Sequence, residues 1–342
     1  MKAIVQDRYG SPADLEVREV ETPVAGDGEV LVRVRAASLH PDVWHVVVGR
    51  PYVLRLMGAG VLRPKTPIPG TDMAGIVESV GNGVTRFQPG DPVFGETIPK
   101  HQWVNGGAYA EYVAVPQEIL ASKPDNITFE QAASVPASGY IALLNLRDQS
   151  RLGPGRTVLI NGAGGGVGSL ALQVAKSHGA HVTAVDSTGK LDMLRSLGAD
   201  EVIDFAQEDF TQRGVRYDLI FDVPGHRPFS TFKSALKPDG RYVPIGHQHY
   251  LASRKRVFGL IPHFFKLIFL SRFVTQLRGP GIPMPSKREA MAVLRELLEA
   301  GKVTPVIDST YPLSEVREAF RHMMEDETRG KVILTPADGA SK

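Results

Sequence analysis

The 342 residues predict a mixed α/β protein in two parts: a small β-barrel and a doubly wound parallel sheet. Three observations carry that expectation. The chain is longer than one hydrophobic core usually organises, so it suits two domains. Its texture changes near residue 124, from short alternating strands set off by frequent turns to strands that take turns with helical runs. The stretch Thr157 to Asp186, TVLINGAGGGVGSLALQVAKSHGAHVTAVD, joins a strand, a glycine turn, a helix and a second strand.

In the first part, Glu29 to Arg35 alternates apolar and polar positions, and turns at Ala25 to Gly28, Gly81 to Gly83 and Gln88 to Asp91 recur at short intervals. In the second part, the apolar run Val158 to Ile160 feeds Ala163-Gly164-Gly165-Gly166-Val167-Gly168. Small residues there let backbone approach a pyrophosphate, and the N–H groups and dipole of the following helix favour its charge. That helix turns Leu170, Val174 and Ala175 inward, and the second strand, His181 to Val185, leads to Asp186 at a distance suited to an adenosine ribose. Glu201 to Phe205, Asp218 to Val223 and Arg241 to Gly246 add strands, with helical segments at Lys190 to Leu197 and Pro228 to Leu236. A sixth strand is expected later, without a secure place. The tail predicts a helix over Glu289 to Ala300, a strand over Val303 to Ile307, a helix capped by Ser314 and a closing strand over Lys331 to Leu334.

Composition excludes several classes. A net charge of +2 gives little reason to expect a nucleic acid as partner. With no cysteine, disulfides, thiolate metal ligands and a cysteine nucleophile are out. The N-terminal MKAIVQDRYG lacks the apolar run of a signal peptide, so a cytoplasmic enzyme is expected. A homodimer is the expected assembly. Residues 253–274, SRKRVFGLIPHFFKLIFLSRFV, are basic at first and then apolar on nearly every side. Pro262, His263 and Lys266 interrupt what would otherwise approach the roughly 20 residues of a membrane span. A buried wall of the substrate cleft or a subunit interface is favoured over a basic amphipathic element on a membrane surface.

Around the glycine turn a longer pattern runs through Gly155, Leu159, Ala163 to Gly168, Gln173 and Lys176. It resembles the fingerprint of the quinone oxidoreductase and zeta-crystallin branch of the medium-chain dehydrogenase/reductase superfamily, with Arg156 as the one departure. Gly70-Thr71-Asp72-Met73-Ala74-Gly75, followed by Gly81 and Val84, has the spacing of the superfamily's zinc signature, with Thr71 in place of its histidine. Gly107 to Val113 and Ala137-Ser138-Gly139-Tyr140 look like further landmarks. The resemblance covers nearly the whole chain. It implies a GroES-like β-barrel catalytic domain over 1–123 and 283–342 plus a doubly wound Rossmann domain over 124–282.

Counting from Gly49 and Gly139, the three places that hold a catalytic zinc in alcohol dehydrogenases of the superfamily carry His40, Thr71 and Ser134. A catalytic zinc needs three good protein ligands, so no metal is expected, and hydride transfer with a plain alcohol, which relies on one, loses ground. An enone or quinone needs no Lewis acid, because hydrogen-bond donors can stabilise the charge that spreads to its oxygen. The resemblance thus implies reduction of a small hydrophobic quinone or α,β-unsaturated carbonyl. Two alternatives stand beside it: a dinucleotide-binding structural or regulatory protein, and, with less support, a zinc alcohol dehydrogenase.

His45 occupies a place where relatives carry a proton-relay or substrate-contacting side chain; it either relays a proton or hydrogen-bonds the cofactor ribose. Trp44 and Tyr52 line an apolar pocket or, for Trp44, simply pack in the core, and Tyr52 offers a hydroxyl to the substrate oxygen. For the cofactor, Asp186 argues for NADH, whereas Ser187, Thr188 and Lys190 argue for the 2′-phosphate of NADPH, which is favoured. Ile245 and Gly246 follow a strand at the sheet's carboxyl edge, where ligands of such sheets bind. By analogy, Ser138 and Lys331 join the cofactor candidates.

Overall fold

A computed structural model describes residues 1–99, 103–147, 151–246, 257–279, 281–324 and 328–336. Its strands, in chain order, are β1 (Lys2–Val5), β2 (Glu16–Glu19), β3 (Glu29–Ser38), β4 (Asp72–Val80), β5 (Pro92–Glu96), β6 (Tyr112–Pro116), β7 (Leu120–Ser122), β8 (Thr157–Asn161), β9 (His181–Asp186), β10 (Glu201–Asp204), β11 (Tyr217–Asp222), β12 (Leu236–Pro244), β13 (Ile307–Pro312) and β14 (Lys331–Thr335). The helices are α1 (Pro41–Val48), α2 (Phe129–Ala133), α3 (Pro136–Asn145), α4 (Gly166–Ser177), α5 (Leu191–Ser196), α6 (Phe229–Phe232), α7 (Ile261–Leu270), α8 (Lys287–Glu299) and α9 (Val316–Met323). Two compact units result. One comprises Met1–Tyr140, Ser286–Gly301 and Pro305–Lys342, the other Ile141–Pro285 and Lys302–Thr304. The first division falls inside α3, because α2 packs against β3 and β4.

The first unit is built on a sheet ordered β13-β14-β3-β4-β5-β7, with β6 also pairing β3. Its registers place Asp72 of β4 opposite Ser38 of β3 on one side and Glu96 of β5 on the other. Ser38 in turn faces Ile333 of β14. A row of polar and charged side chains therefore crosses a sheet whose buried side chains are otherwise mostly apolar, Val32, Val34, Met73 and Phe94 among them. Gly70, just before β4, has φ +93, and the Tyr109 ring lies where a Cβ would go, which accounts for glycine at the head of that motif. Helix α8 starts two residues earlier than its periodicity indicates. Ser286 caps it, reciprocally with Glu289.

The second unit carries five parallel strands among the described residues, ordered β10-β9-β8-β11-β12, so the first strand of the nucleotide-binding stretch is central. The expected sixth strand is not among them. Leu159, Val185, Ile220, Phe232 and Tyr242 form the core beside this sheet. At its amino edge, buried Asp218 accepts hydrogen bonds from the Thr157 amide (2.9 Å), Arg156 (2.9 Å) and Lys237 (2.6 Å). Arg156, the departure from the family fingerprint, is thus tied to a partner at the end of the strand away from the glycine turn. These donors hold the Asp218 carboxyl far below the usual carboxylate range, despite its burial. Replacing Asp218 by Ala is expected to cost about 2–4 kcal/mol at neutral pH, since it leaves the Thr157 amide and two cations without their acceptor. Because a depressed carboxyl stabilises the fold above its unfolded pKa and loses that contribution as pH falls through the folded one, the gap to wild type should persist down to about pH 4 and close below. Urea unfolding across that range checks both.

Two expectations need correction, and a third segment is described more fully than the sequence allowed. The strand placed over Val303 to Ile307 begins only at Ile307. Pro305 has no N–H for a ladder, and Thr304 is held instead by Gln173, through its amide (2.7 Å) and carbonyl (3.0 Å). Ser314 lies inside a 3₁₀ turn, Leu313–Glu315, and caps nothing. The segment 253–274, of which 253–256 fall outside the described residues, is covered on one side only. Leu267 of α7 enters the sheet's core, whereas Phe265, Ile268, Phe269 and Phe273 are 67%, 62%, 58% and 72% exposed. A helix that is apolar all round can bury only the side its neighbours reach.

Candidate active site

The glycine turn hangs from β9: the Gly162 and Ala163 amides both donate to the Val185 carbonyl, at 2.9 and 3.1 Å. A Cβ on Gly168 would stand 2.7 Å from the Ala163 Cα and closer still to the Gly162 carbonyl oxygen, so only glycine lets α4 seat against the turn. Gly165 differs. A Cβ there would meet nothing within 4 Å, and no side chain caps the first turn of α4. An open space over uncapped helical N–H groups is what a pyrophosphate requires, so the residues present fit a dinucleotide.

Asp186 does not project freely toward a ribose. One carboxylate oxygen accepts the Gly164 amide (2.7 Å), and the other accepts the Ser187 amide (2.9 Å) and lies 3.3 Å from the Lys190 ammonium. Both partners of that ion pair are buried, with the Lys190 stem lying over Gly164. Thr188 donates its hydroxyl to Asp204 at the end of the neighbouring strand. At the carboxyl edge, the Ile245 and Gly246 amides bond back to Asp222 and Val223, and Phe264 of α7 rests against Gly246.

In the first unit the crossing row becomes a buried charge cluster. Asp72 accepts from the Ser38 hydroxyl (3.2 Å) and the Ala137 amide (3.3 Å), with the Lys331 ammonium 3.8 Å away. Burial raises the Asp72 pKa and lowers that of Lys331, and their mutual attraction opposes both shifts. One strand over, Glu96 meets Lys287 at 2.6 Å, and Lys287 also donates to the Ile98 carbonyl (2.8 Å). Burial pushes Glu96 up to about 7 against the pull of Lys287. The Lys331 Nζ and the Ser138 Oγ are buried and make no hydrogen bond among the described residues. Sequence reasoning missed Glu96 and Lys287 and met Asp72 only as part of the Gly70 to Gly75 motif; a charged residue closing an otherwise apolar strand, as in PVFGE, was the available signal.

The three places that match zinc ligands in alcohol dehydrogenases are engaged elsewhere. His40 Nδ1 accepts the Asp42 amide (3.2 Å), Thr71 donates toward Asp72 (3.4 Å) and Ser134 donates to the Gln131 carbonyl (2.7 Å). Two neutral hydroxyls make a poor zinc set, so these residues do not fit a catalytic metal.

His45 sits half-buried in the last turn of α1, its Nδ1–H donating to the Arg50 carbonyl at 2.8 Å. That bond leaves Nε2 as an acceptor in the neutral ring. Burial lowers the His45 pKa, outweighing the Arg50 carbonyl and Asp42. Trp44 is buried with its ring edge-on to His45 (centroids 5.0 Å apart), as core packing requires. Tyr52 is exposed, with the Arg55 and Arg50 guanidinium carbons 4.8 and 5.9 Å from its ring.

Comparison with known proteins agrees with this architecture. Residues 26–125 match the alcohol dehydrogenase GroES-like domain, and 197–334 match the zinc-binding dehydrogenase model. Quinone-oxidoreductase QR1 of Triphysaria versicolor is 33% identical over 98% of each chain. The NADPH-dependent alkenal/one oxidoreductase of Arabidopsis thaliana is 32% identical over 98% of this chain and 80% of its own. The solved quinone oxidoreductase of Coxiella burnetii superposes with a TM-score of 0.78 at 28% identity, covering 98% of this chain and 99% of its own. The chain belongs to the zinc-independent quinone oxidoreductase branch of the medium-chain dehydrogenase/reductase superfamily.

Proposed function

We propose that this chain uses NADPH to reduce quinones or α,β-unsaturated carbonyls, without a metal. The observation that carries this reading is the open, uncapped helix start at Gly165, in a chain whose relatives are named for reduction of those acceptors. When bound, the dinucleotide supplies a hydride. The chain's residues bind, orient and hydrogen-bond. Ala163 to Gly168 hold the pyrophosphate. Asp186, spent on two amides and Lys190, does not compete for the ribose hydroxyls, which supports NADPH, with Lys190, Ser187 and Thr188 around the 2′-phosphate. Ser138 and Lys331 are the donors for a ligand carbonyl oxygen, since the Ser138 Oγ and the Lys331 Nζ, the latter ion-paired with Asp72, are buried without a hydrogen bond among the described residues. His45, neutral and with its N–H committed, accepts a hydrogen bond at Nε2 and does not deliver the proton.

Titration should give an NADPH Kd at least about tenfold below that for NADH. With saturating NADPH, a small quinone and an enone should both be turned over. A protein that binds NADPH yet reduces neither is not this enzyme. His45→Gln should raise the KM for NADPH and leave kcat within about threefold. Normal NADPH binding with a hundredfold fall in kcat would instead make His45 the proton donor.

A further inference from the structure

Helix α7 presents a second apolar side to solvent. Phe265, Ile268 and Phe269 follow helical spacing on α7, Phe273 lies in the turn just after it, and the Phe269 and Phe273 rings meet edge-on with centroids 5.6 Å apart. Lys266, Arg272 and Arg278 are exposed beside them, and Arg278 secures the helix end by donating to the Ser271 (3.3 Å) and Arg272 (3.2 Å) carbonyls. The sequence holds no Asp or Glu between Asp239 and Glu289. We propose that this face docks on an anionic lipid bilayer, with α7 lying in the plane of the interface. The aromatic and aliphatic side chains enter the boundary between headgroups and acyl chains, and the three cations meet lipid phosphates.

Charge decides between this occupant and a second copy of the chain. A two-fold contact through α7 would bring two sets of Lys266, Arg272 and Arg278 into one interface, with no carboxylate in the stretch to offset them. A bilayer bearing anionic headgroups supplies the missing charge. Docking is superficial: no helix among the described residues is long and apolar enough to cross a membrane. It is also independent of which acceptor the enzyme reduces.

The test is co-sedimentation of the full chain with vesicles of phosphatidylcholine alone and of phosphatidylcholine with phosphatidylglycerol. Binding is expected only with the anionic lipid, and to be reversed by salt. K266Q/R272Q should weaken it by about tenfold or more. F269S/F273S should reduce it to the level seen with phosphatidylcholine alone. Both variants replace exposed side chains and should keep the wild-type thermal midpoint. Absence of vesicle binding, equal binding to both vesicles, or undiminished binding by F269S/F273S overturns the proposal. So does an oligomer, seen by analytical ultracentrifugation, that F269S/F273S dissociates while wild type ignores vesicles, for then a second copy covers the face.

Discussion

Lys287→Met is expected to destabilise the protein by about 3–5 kcal/mol at about pH 8, and by clearly less at about pH 5.5. The substitution keeps the volume of the stem and removes the only cation that meets Glu96 within hydrogen-bonding distance among the described residues. Glu96 then lies buried with Asp72 as a like-charged neighbour. The sign follows from linkage. With Lys287 present the Glu96 pKa is already pushed up to about 7, against 4.5 for the free side chain, and without Lys287 it rises further. A carboxyl whose folded pKa is raised makes the fold lose stability as pH climbs from the unfolded value to the folded one. At acid pH the variant buries a neutral acid, which needs no counter-ion; at alkaline pH it buries a bare carboxylate or must take up a proton. Calorimetric unfolding of both proteins at the two pH values is the measurement. An equal loss at both would show that packing, not charge, is what Lys287 contributes.

The second large effect separates folding from binding at the glycine turn. Gly168→Val should lose about 2–3 kcal/mol of stability and bind no dinucleotide, because its Cβ collides with backbone of Gly162 and Ala163 that cannot yield without lifting α4 off the turn. Gly165→Ala should behave oppositely toward the fold. Its φ of −85° and ψ of 178° suit any residue, and its Cβ meets no protein atom, so the thermal midpoint should hold or rise slightly. Its methyl nevertheless occupies the space proposed for the pyrophosphate, and NADPH affinity should fall by at least about tenfold. Calorimetric titration beside thermal melts reads both. Wild-type affinity in Gly165→Ala would move the phosphates elsewhere.

Legibility in the sequence followed how local each determinant is. The glycine turn and its strands could be read because strand, turn, helix and acid lie in one contiguous stretch. The charge cluster could not. Asp72, Glu96, Lys287 and Lys331 belong to segments far apart in the chain, and strand register together with the start of α8 brings them into one core. Lys287 in particular sits within the Ser286 to Glu289 capping box, which reads as an ordinary solvated helix start. His45 was visible as a candidate, but the Arg50 carbonyl that fixes its tautomer belongs to the fold. For α7 the pattern revealed apolar residues all round; how many of its sides have neighbours is a tertiary fact that no periodicity encodes.

The tie between Asp186 and Lys190 bears on how dinucleotide preference can change over evolution or in the laboratory. Each side chain is buried against the other, and Asp186 also anchors the Gly164 amide. Freeing the acid for a ribose by replacing Lys190 alone leaves a buried carboxylate on its two amides without this counter-ion; removing Asp186 alone takes the acceptor from the Gly164 and Ser187 amides and loosens the turn. Neither single change is a neutral step. A switch between the two dinucleotides therefore has to alter both positions together, so the effects of 186 and 190 on specificity are strongly epistatic.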